Sequence, residues 1–299
     1  MEGFGLSETA PYENPLVPNA KLRQIYTAMV ETRLLDEHIA KLQQKAKGPH
    51  RLYSTSGQEA VRVTTAIDLQ SGDLVSADQM TVTMDYLLGA KPSALLQDFI
   101  SKSSGTKART ATETKRLITG RLLPWIEGED DTSDRLKSAL GAALALKTLM
   151  QSKVVLVYVD AAEMPKKSWK RILAIAAKLN LPIIFVVLPR MGRKNGNAAS
   201  VCAKARSAGV PGIPVDANDA VALYRVAQES FGRTRGGDGP VLIECISRRI
   251  KGQRTDEPDD PILQMKDFLI GRKVCDEDWA NHVGDALHKA IARTVAAGA

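Results

Sequence analysis

Two apolar runs, VVLVYV at 154–159 and PIIFVV at 182–187, constrain this chain more than any other feature of it. Both are short, rich in β-branched residues and almost free of polar side chains. Such runs fit strands covered on both faces, and the stretch between them has the length and composition of a helix. Parallel strands need a crossover of this kind, so the spacing implies a strand, a helix and a parallel strand. GVPGIPVDAND at 209–219, AVALYRVAQESF at 220–231 and GPVLIECI at 239–246 repeat the alternation. The expected fold class is therefore α/β, a parallel sheet with helices on both faces.

Helices are expected around this sheet. Leu22, Ile25, Met29, Leu35, Ile39 and Leu42 form one apolar stripe over 21–46, which predicts a long N-terminal helix. Shorter helices are expected at 58–69, at 92–101 with Pro92 in the first turn, and at 133–150 with Ser133 or Asp134 as cap. A single C-terminal helix is expected over 276–297, after a charged loop at 251–261. Residues 1–20 read as a flexible leader and 21–299 as one domain. Asp216, Asn218 and Asp219 suit the cap of the helix that follows them, and Trp125, Trp169 and Trp279 suit packing.

Composition excludes several classes. With 299 residues, 44% hydrophobic and 25% charged, the chain matches an ordinary globular protein. No apolar run approaches the roughly 20 residues of a membrane helix, and the start has no basic and apolar signal pattern, so a cytoplasmic protein with no membrane partner is expected. Cys202, Cys245 and Cys275 are scattered, which fits neither a disulfide framework nor a metal cluster. The net charge of +7 favours anionic partners but implies no specific nucleic acid.

Ligands of open parallel sheets bind beyond the carboxyl ends of the strands. Asp160 follows the first strand, where a cap on the next helix is the plain expectation and a metal the bolder one. No acidic residue occurs between Glu163 and Asp216. The same interval holds Lys166, Lys167, Lys170, Arg171, Lys178, Arg190, Arg193, Lys194, Lys204 and Arg206. An anion is better served there than a divalent cation. Residues 102–121 are also basic, with Glu113 against Lys102, Lys107, Arg109, Lys115, Arg116 and Arg121; a solvated or disordered segment explains this.

An ordered set of segments resembles the alpha subunit of the thiamine-diphosphate-dependent 2-oxo acid dehydrogenases, the decarboxylating component acting on pyruvate or branched-chain 2-oxo acids. The segments are LRQIYTAMVETRLLDEHIAKL from 22, SGQEAVRV at 56–63, SGDLV at 71–75, LGAALALK at 140–147, KLNLPIIFVV at 178–187, AGVPGIPVDANDAVALY at 208–224 and GPVLIECISRR at 239–249. The resemblance runs from about residue 21 to residue 295. It implies a thiamine-diphosphate-binding fold, a beta-type partner subunit that supplies the activating glutamate, and a diphosphate held through magnesium.

The positions that the resemblance marks as working ones read differently here. The Gly-Asp-Gly turn falls on Val159-Asp160-Ala161, and the added Cβ atoms stand where the backbone would approach phosphate. The Asn pair falls on Pro189-Arg190, the Tyr-Arg-Asp-His segment near Gln79-Met80-Thr81-Val82, and two histidines on Tyr53 and Gln253. None of His38, His50, His282 and His288 matches a family histidine. Asp160, Arg190, Arg193 and Lys194 are the candidate cofactor-binding residues, and neither a catalytic residue nor a metal ligand is assigned.

Three readings follow. The chain is a degenerate alpha-type subunit without cofactor, pairing with a beta-type partner or with itself. Alternatively, it is an active enzyme in which Arg190, Arg193 or Lys194 replaces magnesium opposite the diphosphate. In the third reading the old pocket holds another anion, such as a nucleotide.

Overall fold

The computed structural model describes residues 16–45, 54–77, 81–103, 132–160, 166–189, 201–246 and 260–298. In chain order these form α1 (Asn19–Lys45), α2 (Glu59–Ala66), β1 (Leu74–Ser76), α3 (Val82–Leu87), α4 (Pro92–Ser103) and α5 (Thr132–Thr148). There follow β2 (Val155–Asp160), α6 (Lys166–Lys178), β3 (Ile183–Leu188), α7 (Val201–Ser207), β4 (Gly212–Asp216), α8 (Ala220–Arg235) and β5 (Val241–Ile246). The chain closes with α9 (Pro261–Gly271), α10 (Glu277–His282) and α11 (Asp285–Gly298).

The five strands form one parallel sheet in the order β1-β2-β3-β5-β4. β2 and β3 pair along their whole length, from Val155 opposite Ile183 to Asp160 opposite Leu188. Successive side chains of a strand point to opposite faces, and here both faces are covered. Leu156, Tyr158, Ile184, Val186 and Ile243 join a core with Met29 of α1, Val63 of α2, Leu223 of α8 and Leu269 of α9. Val155, Val157, Val159, Ile183, Phe185 and Val187 pack on the other face against Leu140 of α5, Trp169 and Leu173 of α6, and Cys202 of α7. Full burial of such side chains stabilises the fold by about 1.5–3 kcal/mol each, so the expected parallel sheet with helices on both faces is the structure's main energetic asset.

The long helix runs as expected, and its far half takes part in a third apolar cluster. Leu35 and Ile39 meet Leu95 and Leu96 of α4 and Leu287 and Ile291 of α11. Residues 1–15 of the expected leader lie outside the described residues, and Val17 is already fully buried in the main core.

The C-terminal part corrects one expectation. The single helix over 276–297 is two helices, broken at Val283 and Gly284. Gly284 has φ +95°, and a Cβ there would lie 2.7 Å from Leu34 Cδ1 of α1. The break lets α11 turn onto α4 while the chain passes close over α1. α3, α7 and α9 are further additions; Asp260 caps α9 through Ile262 N at 2.8 Å, inside the stretch read as loop. Trp169 is buried and meets Phe185 edge-on, Trp279 lies against Tyr26, and Trp125 lies outside the described residues.

The amino end of the sheet is held by a carboxylate. Asp73, 1% exposed, accepts hydrogen bonds from Gln70 N at 2.7 Å and Val154 N at 3.1 Å, and pairs with Arg235 at the end of α8. It thereby ties the start of β1 to the start of β2 and to α8. Asp73→Asn should cost roughly 3 kcal/mol in urea unfolding, because Arg235 loses its partner in a buried setting. Gly212 opens β4 directly beneath α7, where a Cβ would stand 2.8 Å from Cys202 Cα and O. Gly212→Ala should therefore lose about 1–3 kcal/mol in the same measurement, since backbone rather than a side chain must yield.

Candidate functional site at the carboxyl ends of the strands

β2 ends at Asp160, the one sequence-predicted site residue inside the described residues. It is half-buried and stands opposite Leu188. It is not the N-cap that its position suggested, because it still belongs to the strand and α6 begins only at Lys166. Arg190, Arg193 and Lys194 lie outside the described residues, as do Tyr53 and Gln253. Among the described residues no group of three or more His, Cys, Asp or Glu side chains is placed to hold a metal ion.

Two residues before Asp160, the Tyr158 carbonyl is met by a residue that the sequence reading passed over. Arg135, in the first turn of α5, is fully buried. Its Nη1 donates to Tyr158 O at 3.1 Å and to Ser76 Oγ at 3.3 Å. β1 stops at Ser76, opposite Val157. The guanidinium thus meets the β2 carbonyl just beyond the end of the β1–β2 ladder, where a backbone N–H would otherwise be needed.

A second buried arginine lies on the other side of Tyr158. Arg62 of α2 is 5% exposed; its Nε donates to Gln58 Oε1 at 2.9 Å and its guanidinium stands 5.3 Å from the centre of the Tyr158 ring. The Tyr158 hydroxyl shares a hydrogen bond of 2.7 Å with Thr65 Oγ1. Burial pushes the phenol up to about 12, against the opposing effects of Thr65 and Arg62, so it stays protonated at neutral pH. The carboxyl end of β2 is therefore flanked by two buried cations. Both carried a signal in the sequence. Arg135 falls in helical phase with Ala139 and Ala143, and Arg62 lies between Val61 and Val63 in a helix whose residues are all buried.

The Gly57-Gln58-Glu59 segment serves as a strut. Glu59 is 1% exposed; its carboxylate accepts from Gly57 N at 2.9 Å and from Arg33 Nε of α1 at 2.7 Å. Arg33 also pairs with Asp260, the cap of α9. Burial works against the Arg33 charge, but the bonds to Glu59 and Asp260 outweigh it and raise its pKa. At the Tyr-Arg-Asp-His position, Thr81 is the cap of α3 and accepts from Met84 N at 3.3 Å. Asp219 is the cap of α8 and accepts from Ala222 N at 2.9 Å, while Asp216, the last residue of β4, accepts from Asn218 N at 2.9 Å in the turn between them.

A family model described as "Dehydrogenase E1 component" matches residues 26–267. The chain belongs to the dehydrogenase E1 component family. Among curated relatives, the 3-methyl-2-oxobutanoate dehydrogenase subunit alpha of Mycobacterium tuberculosis is 29% identical over 252 residues, covering 82% of this chain and 65% of the relative. This chain therefore spans less than two thirds of that relative's length. The pyruvate dehydrogenase E1 component subunit alpha of Staphylococcus aureus is 26% identical over 294 residues, covering 90% of this chain and 75% of the relative. Among solved structures, a protein from Mycobacterium smegmatis assigned as a thiamin diphosphate-dependent enzyme aligns with a TM-score of 0.40 at 13% identity, over 63% of this chain and 32% of that one.

In this E1-family chain the Gly-Gln-Glu segment has a structural duty that can be measured. Glu59→Ala should lower unfolding stability by roughly 2–4 kcal/mol, since it leaves a partly buried Arg33 with Asp260 alone. Glu59→Gln should recover part of the loss by keeping an acceptor for Gly57 N.

Proposed function

We propose that the chain is a 2-oxo acid dehydrogenase alpha-subunit-like protein that has lost the cofactor reaction and acts as a non-catalytic subunit beside a beta-type partner. The observation that carries this reading is the buried guanidinium of Arg135 at the carboxyl end of β2. A magnesium ion bridging a diphosphate needs oxygen donors at that place. The described residues bring one carboxylate, Asp160, and two buried cations, Arg135 and Arg62. Val159 adds a buried side chain where a glycine would open the backbone, and Pro189 has no side-chain oxygen to offer. These residues do not fit a magnesium-held diphosphate, and no catalytic step is assigned to them. The strand cores and the apolar stripe of α1 are packed, and this reading takes residues 21–299 as one alpha-subunit-like domain. This fits a protein used for its surface. The interval 164–215, which has no acidic residue and ten Lys and Arg, favours a second reading, a metal-free pocket for a polyphosphate or nucleotide.

Calorimetric titration separates these readings. Thiamine diphosphate, ATP and pyrophosphate are titrated into the full chain with and without magnesium, and with and without a beta-type subunit from a related dehydrogenase. The expected result is no magnesium-dependent uptake of thiamine diphosphate under any of these conditions. Magnesium-dependent binding selective for thiamine diphosphate would overturn the proposal and return Asp160 to a ligand's role. Binding of any polyphosphate without magnesium, weakening as salt rises, would favour the anion pocket instead.

A further inference from the structure

At the opposite end of the sheet, the outer surface of α5 and α6 carries an apolar patch that is exposed among the described residues. Leu144 of α5, Met150 just after it, and Ile175 and Leu179 at the end of α6 are all exposed, Met150 at 91%. The two helices pack side by side on the sheet, and Lys147 Nζ donates to Leu179 O at 2.6 Å, which joins their carboxyl ends. Large aliphatic side chains scattered singly over a surface need no explanation, but grouped on two adjoining helices they mark a contact face. Small residues widen it. Gly141 and Ala145 are exposed on α5, a Cβ at Gly141 would meet nothing within 4 Å, and Ala174 is exposed on α6.

The charges around this patch decide what can sit on it. Lys147, Lys170, Arg171 and Lys178 are exposed at its rim, and α6 contains no acidic residue. Asp134, at the far end of α5, is engaged with Lys137. The exposed Asp238 lies beyond Asn180, whose side chain donates to Gly237 O. A two-fold contact between copies of the chain would set this same basic rim against itself. A partner with acidic side chains would instead gain from every rim cation.

We propose that the α5–α6 face docks an amphipathic helix of a different protein, with an apolar stripe that is edged by Asp and Glu. An apolar stripe laid along two adjoining helices is a common way for such a segment to bind. The inference rests on the partner-subunit reading only for the existence of that protein.

The test uses the full chain and two synthetic amphipathic helices of about five turns. Both carry the same leucine stripe, one edged with glutamate and the other with lysine. Fluorescence anisotropy should show the glutamate helix binding at least about tenfold more tightly than the lysine helix, with the advantage shrinking as salt is added. Ile175→Asp and Leu179→Asp should each weaken the glutamate helix by about tenfold while leaving the circular dichroism unchanged. Leu263→Asp, on the exposed side of α9, should leave the affinity alone. Equal binding of the two peptides, or no binding of either, would overturn the proposal. So would a dimer in light scattering that Ile175→Asp disperses, because the face would then belong to a second copy. No thiamine diphosphate is present, so the docking result and the cofactor result are read separately.

Discussion

The rest of the molecule hangs on the pairing of β2 with β3, a parallel ladder buried on both faces. Parallel strands cannot leave one side wet, because their crossovers must lie across the sheet, and here α6 makes that crossover. With both faces sealed by apolar side chains, polar groups gather where strands and helices end. Asp73 does this at the amino end of the sheet, and Arg135 at the carboxyl end. Buried ions of this kind add little net stability, yet removing one partner is costly, so they hold register more than they hold energy.

Three buried polar residues serve as pieces of this framework. Thr81 caps a helix, Glu59 braces α1 and α2, and Arg135 meets the carbonyl of Tyr158 past the end of β1. Each uses the polar character of its place to satisfy the backbone or a neighbouring charge.

The distribution of charge separates the two ends of the sheet further. At the carboxyl end the two described cations, Arg135 and Arg62, are buried, and protein atoms answer them. On the outer side of α5 and α6 they are exposed beside aliphatic side chains. Buried cations shape a fold, while exposed ones beside apolar surface shape an encounter with another molecule.

The sheet and its alternation with helices are legible along the chain. Continuous apolar runs rich in β-branched residues, such as 182–187, leave little alternative to two-sided burial, and the stripe from Leu22 to Leu42 specifies a helix face without reference to any partner. The cap at Asp219 was legible for the same reason, since a cap is satisfied within a few residues. Only the tertiary structure decided which charges meet across the chain. Arg33 finds Glu59 and Asp260, and Arg135 finds Ser76 and Tyr158, through contacts between residues remote in sequence. The break at Gly284 belongs with these, because nothing local in a helix-forming stretch reports that a Cβ there would stand 2.7 Å from Leu34 Cδ1 of α1. Local hydrogen bonding and periodicity act over a few residues and can be read along the chain. Burial of a charge or the loss of room for a Cβ depends on distant neighbours, and exists only once the fold has brought them together.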